Sequence, residues 1–118
     1  MNSYFKLAKN VSRLSDHRIA VGAVIIKKKP IIAVSNLNKS HPTSHYHKSL
    51  HAEIRAIINC NKEDLTDAIM YVYREFHDGS PALARPCNTC YSYMKEHGIK
   101  KVYYSISTFP FFICEKIL

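Results

Sequence analysis

The sequence predicts one α/β domain in three layers, a mixed sheet of about five strands with helices on both faces. Apolar residues recur at helical spacing in separate segments, β-branched and aromatic runs of strand length lie between them, and 118 residues are enough for a single core but not for a second lobe. Residues 1–118 are therefore read as one domain.

Taken in order, residues 3–15 place Tyr4, Leu7, Ala8, Val11 and Leu14 at i, i+3, i+4 spacing, an amphipathic helix that Asp16 and His17 end. Ile19–Ile26 and Ile31–Val34 are β-branched runs on either side of Lys27-Lys28-Lys29-Pro30, which reads as a buried hairpin with a basic turn. Ser35–Leu50 is polar, rich in Asn, Ser and His, and has no apolar period; a loop of that length leading into a helix is expected to carry binding residues. Ser49 is placed to cap a helix from His51 through Ile54, Ala56, Ile57 and Ile58 to Cys60.

Ala68–Arg74 alternates as a third strand, and Glu75–Leu83, with Asp78-Gly79, forms the return loop. Pro86 is expected to open a helix that continues through Tyr91 and Met94 to Gly98. Lys101–Ser105 is a fourth strand and Phe111–Ile117 a fifth. Only Ile106–Pro110 separate the two, too few for a parallel crossover, so they pair antiparallel.

The net charge of +8 and pI near 9.4 favour an anionic partner, although the lysine run reads equally well as a solvated turn. No apolar run approaches a membrane span and no signal-like segment opens the chain, so the expected location is the cytoplasm.

The chemistry lies in His51-Ala52-Glu53 and Pro86-Cys87-Asn88-Thr89-Cys90. His51, Cys87 and Cys90 supply three metal ligands and leave one position for water, the composition of a catalytic zinc site, whereas structural sites are closed by four. Glu53, two residues from a ligand, is a ready proton acceptor for that water. Helix N-termini at His51 and Cys87 turn two positive dipole ends to the metal and favour thiolate. Two alternatives stay open. His47, at i,i+4 from His51, would close a structural His2Cys2 site. A disulfide would instead join Cys87 and Cys90, while the other two cysteines, Cys60 and Cys114, lie in apolar runs.

This constellation resembles the zinc-dependent cytidine and deoxycytidylate deaminase superfamily, whose signature is H-x-E…P-C-x-x-C. The resemblance implies the cytidine deaminase-like fold, Zn2+ on His51, Cys87 and Cys90, Glu53 as proton shuttle, and the Ala52 backbone N–H against the base near its ring carbonyl. Ser35-Asn36-Leu37-Asn38 is similar to the family's G-x-N, with Asn36 in the glycine place and Asn38 as the substrate contact; the plainer reading of Asn38 is a turn residue bonding its own backbone. Where the family often has Ser or Thr before the cysteines, this chain has Ala84-Arg85, and Arg85 either meets a phosphate or faces solvent.

The implied reaction converts a cytosine nucleotide or nucleoside, such as dCMP or deoxycytidine, to the uracil form with release of ammonia. A deaminase acting on single-stranded DNA or RNA and a non-catalytic zinc-stabilised nucleic-acid-binding module are the alternatives. The short chain leaves little loop to clamp a strand, which favours the small substrate. The terminal hairpin resembles the nucleoside branch and the histidine ligand the deoxycytidylate branch. Homo-oligomers are common in such deaminases, and Phe109, Phe111 and Phe112 either close the core or form a subunit contact. The loop residues His41, His45, His47 and Lys48 are placed to line the approach to the site.

Overall fold

Alternation along the strands decides the architecture. In the computed structural model, which describes residues 3–15, 19–36, 51–60 and 64–117, strand β1 (Val21–Lys27) sends Ala23 and Ile25 to one side and Val24 and Ile26 to the other. All four are buried, so β1 is covered on both faces. Strand β2 (Lys29–Ser35) pairs antiparallel with β1 and strand β3 (Ile69–Glu75) pairs antiparallel on its other side. The two-residue strand β4 (Pro81–Ala82) pairs with the end of β3. Strand β5 (Lys101–Ser105) runs parallel to β3, and β6 (Phe112–Lys116) closes the order β2-β1-β3-β5-β6 antiparallel to β5.

Helix α1 (Ser3–Ser12) seats Phe5 and Ala8 on one face of the sheet, against Val24, Ile26, Tyr71 and Tyr73. It crosses β1 at Gly22, where a Cβ would stand 2.0 Å from the Ala8 carbonyl oxygen, so only glycine admits this approach. On the opposite face α2 (Ala52–Cys60) and α3 (Asn88–Glu96) bring Ala52, Ala56, Ile57, Cys60 and Met94 against Ala23, Ile25, Met70, Val72 and Val102. The result is the three-layer mixed sheet expected, with the antiparallel ending in place.

Several details differ from the sequence reading or decide between alternatives it left open. The basic turn shrinks to Lys28, at φ 71, and Pro30 lies inside β2; an edge strand tolerates a residue that lacks an N–H. The return loop contains β4. Helix α3 starts at Asn88, not Pro86, because Cys87 stays extended (φ −67, ψ 166) and its sulfur accepts the Cys90 N–H at 3.4 Å, the role of an N-cap. Gly98, at φ 83, ends α3 as expected. Finally, Phe109, Phe111 and Phe112 do not close the core. They are 85%, 43% and 42% exposed, and Phe112 only leans on Phe5 with ring centroids 5.5 Å apart. Cys114 is likewise exposed, on β6. Asp16, His17, Asn38, His41, His45, His47, Lys48 and Ser49 lie outside the described residues, and with them the expectations placed on them. Among the described residues no helix is long and apolar enough to cross a membrane.

Candidate metal centre

The two motifs meet at the N-terminal ends of α2 and α3. His51 immediately precedes α2, and the Arg55 N–H donates to its carbonyl at 2.9 Å, closing the first turn. Cys87 caps α3 and Cys90 lies one turn further on, fully buried against Ile54 of α2. Contact between the two helices thus carries the ligands together.

One donor atom from each of His51, Cys87 and Cys90 lies within 4.8 Å of the others. His51 Nδ1 stands 3.3 Å from Cys90 Sγ and 3.7 Å from Cys87 Sγ. Zinc bonds of about 2.3 Å to sulfur and 2.0–2.1 Å to nitrogen, at the tetrahedral angle, put those atoms about 3.6 Å apart. The observed separations bracket that value. All four cysteines are free thiols, so neither ligand is taken by a disulfide.

The electrostatics also ask for a cation. The Cys87 thiol is pulled down to about 4, first by the hydrogen bond from the Cys90 thiol and further by the Cys90 N–H and by His51. Cys90 is pushed strongly the other way by giving that hydrogen bond, by burial and by the Glu53 carboxylate. Without a metal one sulfur holds its proton at the other's expense, and two thiolates side by side need a divalent charge between them. The donor set therefore fits zinc.

Glu53 stands outside the ligand cluster but beside it, on the first turn of α2. It is 6% exposed, and burial, with a smaller contribution from the Cys87 charge, pushes its carboxyl up to about 7. A carboxyl near 7 is half-protonated at neutral pH, the condition in which one group both takes and gives protons. Glu53, Ala52, His51 and Cys87 line one cleft of about 230 Å³, completed by Ile19, Val21, Asn36, Arg74, Leu83, Ala84 and Arg85.

Asn36 has a different task from the flexible glycine whose place it takes in the motif. It is buried, its Oδ1 accepts from Val21 N at 3.0 Å and Ser15 Oγ at 2.6 Å, and its Nδ2 donates to Ile19 O at 2.8 Å. The side chain ties the segment after α1 to the end of β2 at the rim of the cleft. Arg85 does not face solvent alone: its guanidinium grips Glu115 at 2.9 and 3.4 Å, while Tyr104 Oη donates to the same carboxylate at 2.6 Å. Arg74 went unnoticed in the sequence, although its signal was there. Alternation along β3 puts it on the same face as Met70 and Val72, the face that carries α2 and α3.

Comparison with known proteins agrees with this geometry. The family model for the cytidine and deoxycytidylate deaminase zinc-binding region matches residues 1–106. Among solved structures the chain is similar to the dCMP deaminase of cyanophage S-TIM5 in its apo form, at 25% identity and TM-score 0.67, covering 91% of this chain and 82% of that one. The same enzyme in complex with dCMP and dUMP aligns at 23% identity and TM-score 0.66, over 88% and 79%. Cytidine deaminase from Burkholderia pseudomallei shares the fold at 15% identity and TM-score 0.73, over 99% and 94%. No curated protein matches the chain. With its ligand triad assembled and the family's zinc-binding region matched over most of its length, the chain belongs to the cytidine and deoxycytidylate deaminase family.

Proposed function

We propose that the chain hydrolytically deaminates a free cytosine nucleotide or nucleoside, such as dCMP or deoxycytidine, to the uracil form. The observation that carries this reading is Glu53, a buried carboxyl on the wall of the cleft that the metal ligands line. A purely structural zinc site has no use for it. His51, Cys87 and Cys90 would hold a zinc ion, which when bound would supply the Lewis acidity that makes a water nucleophilic near neutral pH. Glu53 takes the proton that water gives up as the C4–O bond forms, and delivers it to N3. It then takes the hydroxyl proton from the C4 oxygen and passes it to the C4 amine. The C4–N bond breaks, ammonia leaves and C4 becomes a carbonyl. Water and the cytosine are consumed, uracil and ammonia are formed, and Glu53 ends as it began. The Ala52 N–H and Asn38 are proposed, on the family pattern, to hold the base and sugar.

The similarity to a phage dCMP deaminase and the +8 charge support a monophosphate over a neutral nucleoside. An assay over cytidine, deoxycytidine, their monophosphates, adenosine, guanine and single-stranded oligonucleotides tests the reading. Conversion of a cytosine monomer supports it, and conversion of oligonucleotides alone contradicts it. For the monophosphate, rising salt is expected to raise KM and leave kcat nearly constant, because screening weakens the ground-state attraction. Equal salt response for nucleoside and monophosphate would remove the charge from substrate choice.

The exposed Phe109 and Phe111, beside the edge strand β6, support a homo-oligomer. Light scattering is expected to show a dimer or larger particle, and Phe109→Ser with Phe111→Ser a smaller one that keeps its zinc. An active wild-type monomer at micromolar concentration contradicts this.

A further inference from the structure

The arginine that sequence offered for a phosphate, Arg85, is already paired with Glu115. Arg13 is paired with Glu75 at 3.1 Å, and Arg55 donates to the Ser35 carbonyl at 2.8 Å. Arg74 is different. Its backbone is pinned at the end of β3, where its N–H donates to Ser105 Oγ at 3.1 Å, Ser105 Oγ lies 3.3 Å from its carbonyl, and the same buried hydroxyl donates to Ala82 O at 2.7 Å. Its guanidinium has no hydrogen-bonding or carboxylate partner among the described residues.

The place of that guanidinium is informative. Arg74 lines the metal cleft, and it also lines a second cleft of about 290 Å³ formed with Ile19, Ala20, Glu75, Phe76 and His77. Among the described residues, Ile19 and Arg74 are common to both and stand between them. The one carboxylate among the described residues of the second cleft, Glu75, is occupied: it accepts from Arg13 Nε at 3.1 Å and from Tyr73 Oη at 3.0 Å, on the α1 side of the sheet to which Tyr73 and Glu75 both project. Among the described residues nothing therefore takes up the charge and planar donor fork of Arg74, which suit a ligand.

We infer that Arg74 is the specificity residue that recognises the phosphate of a nucleoside monophosphate whose base lies in the metal cleft. The inference rests on the deaminase reading for the position of the base, and adds to it the residue that selects the charged substrate. A planar fork meets two phosphate oxygens at once, which an ammonium cannot do. A neutral nucleoside gains nothing from it.

The test is calorimetric binding of the products dUMP and deoxyuridine, which are not turned over, to the zinc-loaded full chain and to its Arg74→Gln, Arg74→Lys and Arg85→Gln variants. Wild type is expected to bind dUMP at least about tenfold more tightly than deoxyuridine. In Arg74→Gln that preference falls to within about threefold while deoxyuridine affinity holds, and Arg74→Lys retains part of it. With dCMP as substrate, KM rises in Arg74→Gln and kcat holds, whereas a merely structural role would lower affinity for both products. No preference for dUMP in wild type overturns the assignment, as does its loss in Arg85→Gln in place of Arg74→Gln. So does tighter binding of a short single-stranded oligonucleotide than of dUMP. An intact, Arg74-dependent preference with no turnover on any cytosine substrate overturns the deaminase reading alone. Equal turnover of dCMP and deoxycytidine overturns the Arg74 assignment alone.

Discussion

Glu53→Gln is expected to lower kcat by about three orders of magnitude while zinc content and circular dichroism stay those of wild type. The amide has nearly the shape of the carboxyl and fills the same buried position in the first turn of α2, so the packing there is preserved. It cannot accept the proton from water or return one to N3 and the amine. General acid–base catalysis is worth about 10²–10⁴ in rate, and Glu53 serves each proton transfer in the proposed sequence, which keeps the loss off the lower end of that range. The ligands His51, Cys87 and Cys90 are untouched, so metal stays. The measurement is kcat on the best cytosine monomer together with zinc per chain. Variant and wild-type rates within a factor of about three would remove Glu53 from the mechanism.

Cys87→Ala is expected to fail in the opposite way, losing metal and stability together. Its side chain is exposed, so truncation removes little packing. What is lost is a thiolate ligand and the sulfur that caps α3 by accepting the Cys90 N–H. The cap alone is worth about 1 kcal/mol, and the metal contributes the larger share, because binding free energy at such a site is folding free energy. Thermal unfolding with and without a chelator separates the two. Wild type should drop markedly when chelated, whereas the variant should start near that lower value and respond little. A variant that keeps one zinc and remains chelator-sensitive would mean that Cys87 is not a ligand.

Much of the fold was legible because the strands obey simple periods. Ala23, Val24, Ile25 and Ile26 form an unbroken apolar run that reads as part of a buried hairpin, and the short Ile106–Pro110 connection fixes the antiparallel ending. The ligand set was legible because His51-Ala52-Glu53 and Pro86-Cys87-Asn88-Thr89-Cys90 match the family's H-x-E…P-C-x-x-C signature, with three residues able to bind a metal beside a carboxyl. Less legible were features decided by long-range partners. Local composition places Pro86 at a helix start, but the Cys87 sulfur takes the capping bond and shifts that start to Asn88. Arg85 and Arg74 look alike in sequence; only Glu115, 30 residues away, tells the paired guanidinium from the available one. Asn36 likewise stood only in the glycine place of the motif, and its buried bonds to Ile19 and Val21 depend on where β1 begins.

The proposed chemistry requires a metal held by three protein ligands with one position left open. X-ray absorption at the zinc edge of the full chain, with zinc content measured on the same sample, tests it directly. The expected result is one zinc per chain with two sulfur scatterers at about 2.3 Å, a single imidazole and one further light atom from solvent at about 2.0 Å. Two imidazoles beside the two sulfurs, the signature of closure by His47, would make the site structural and contradict it, as would purified protein that holds no zinc.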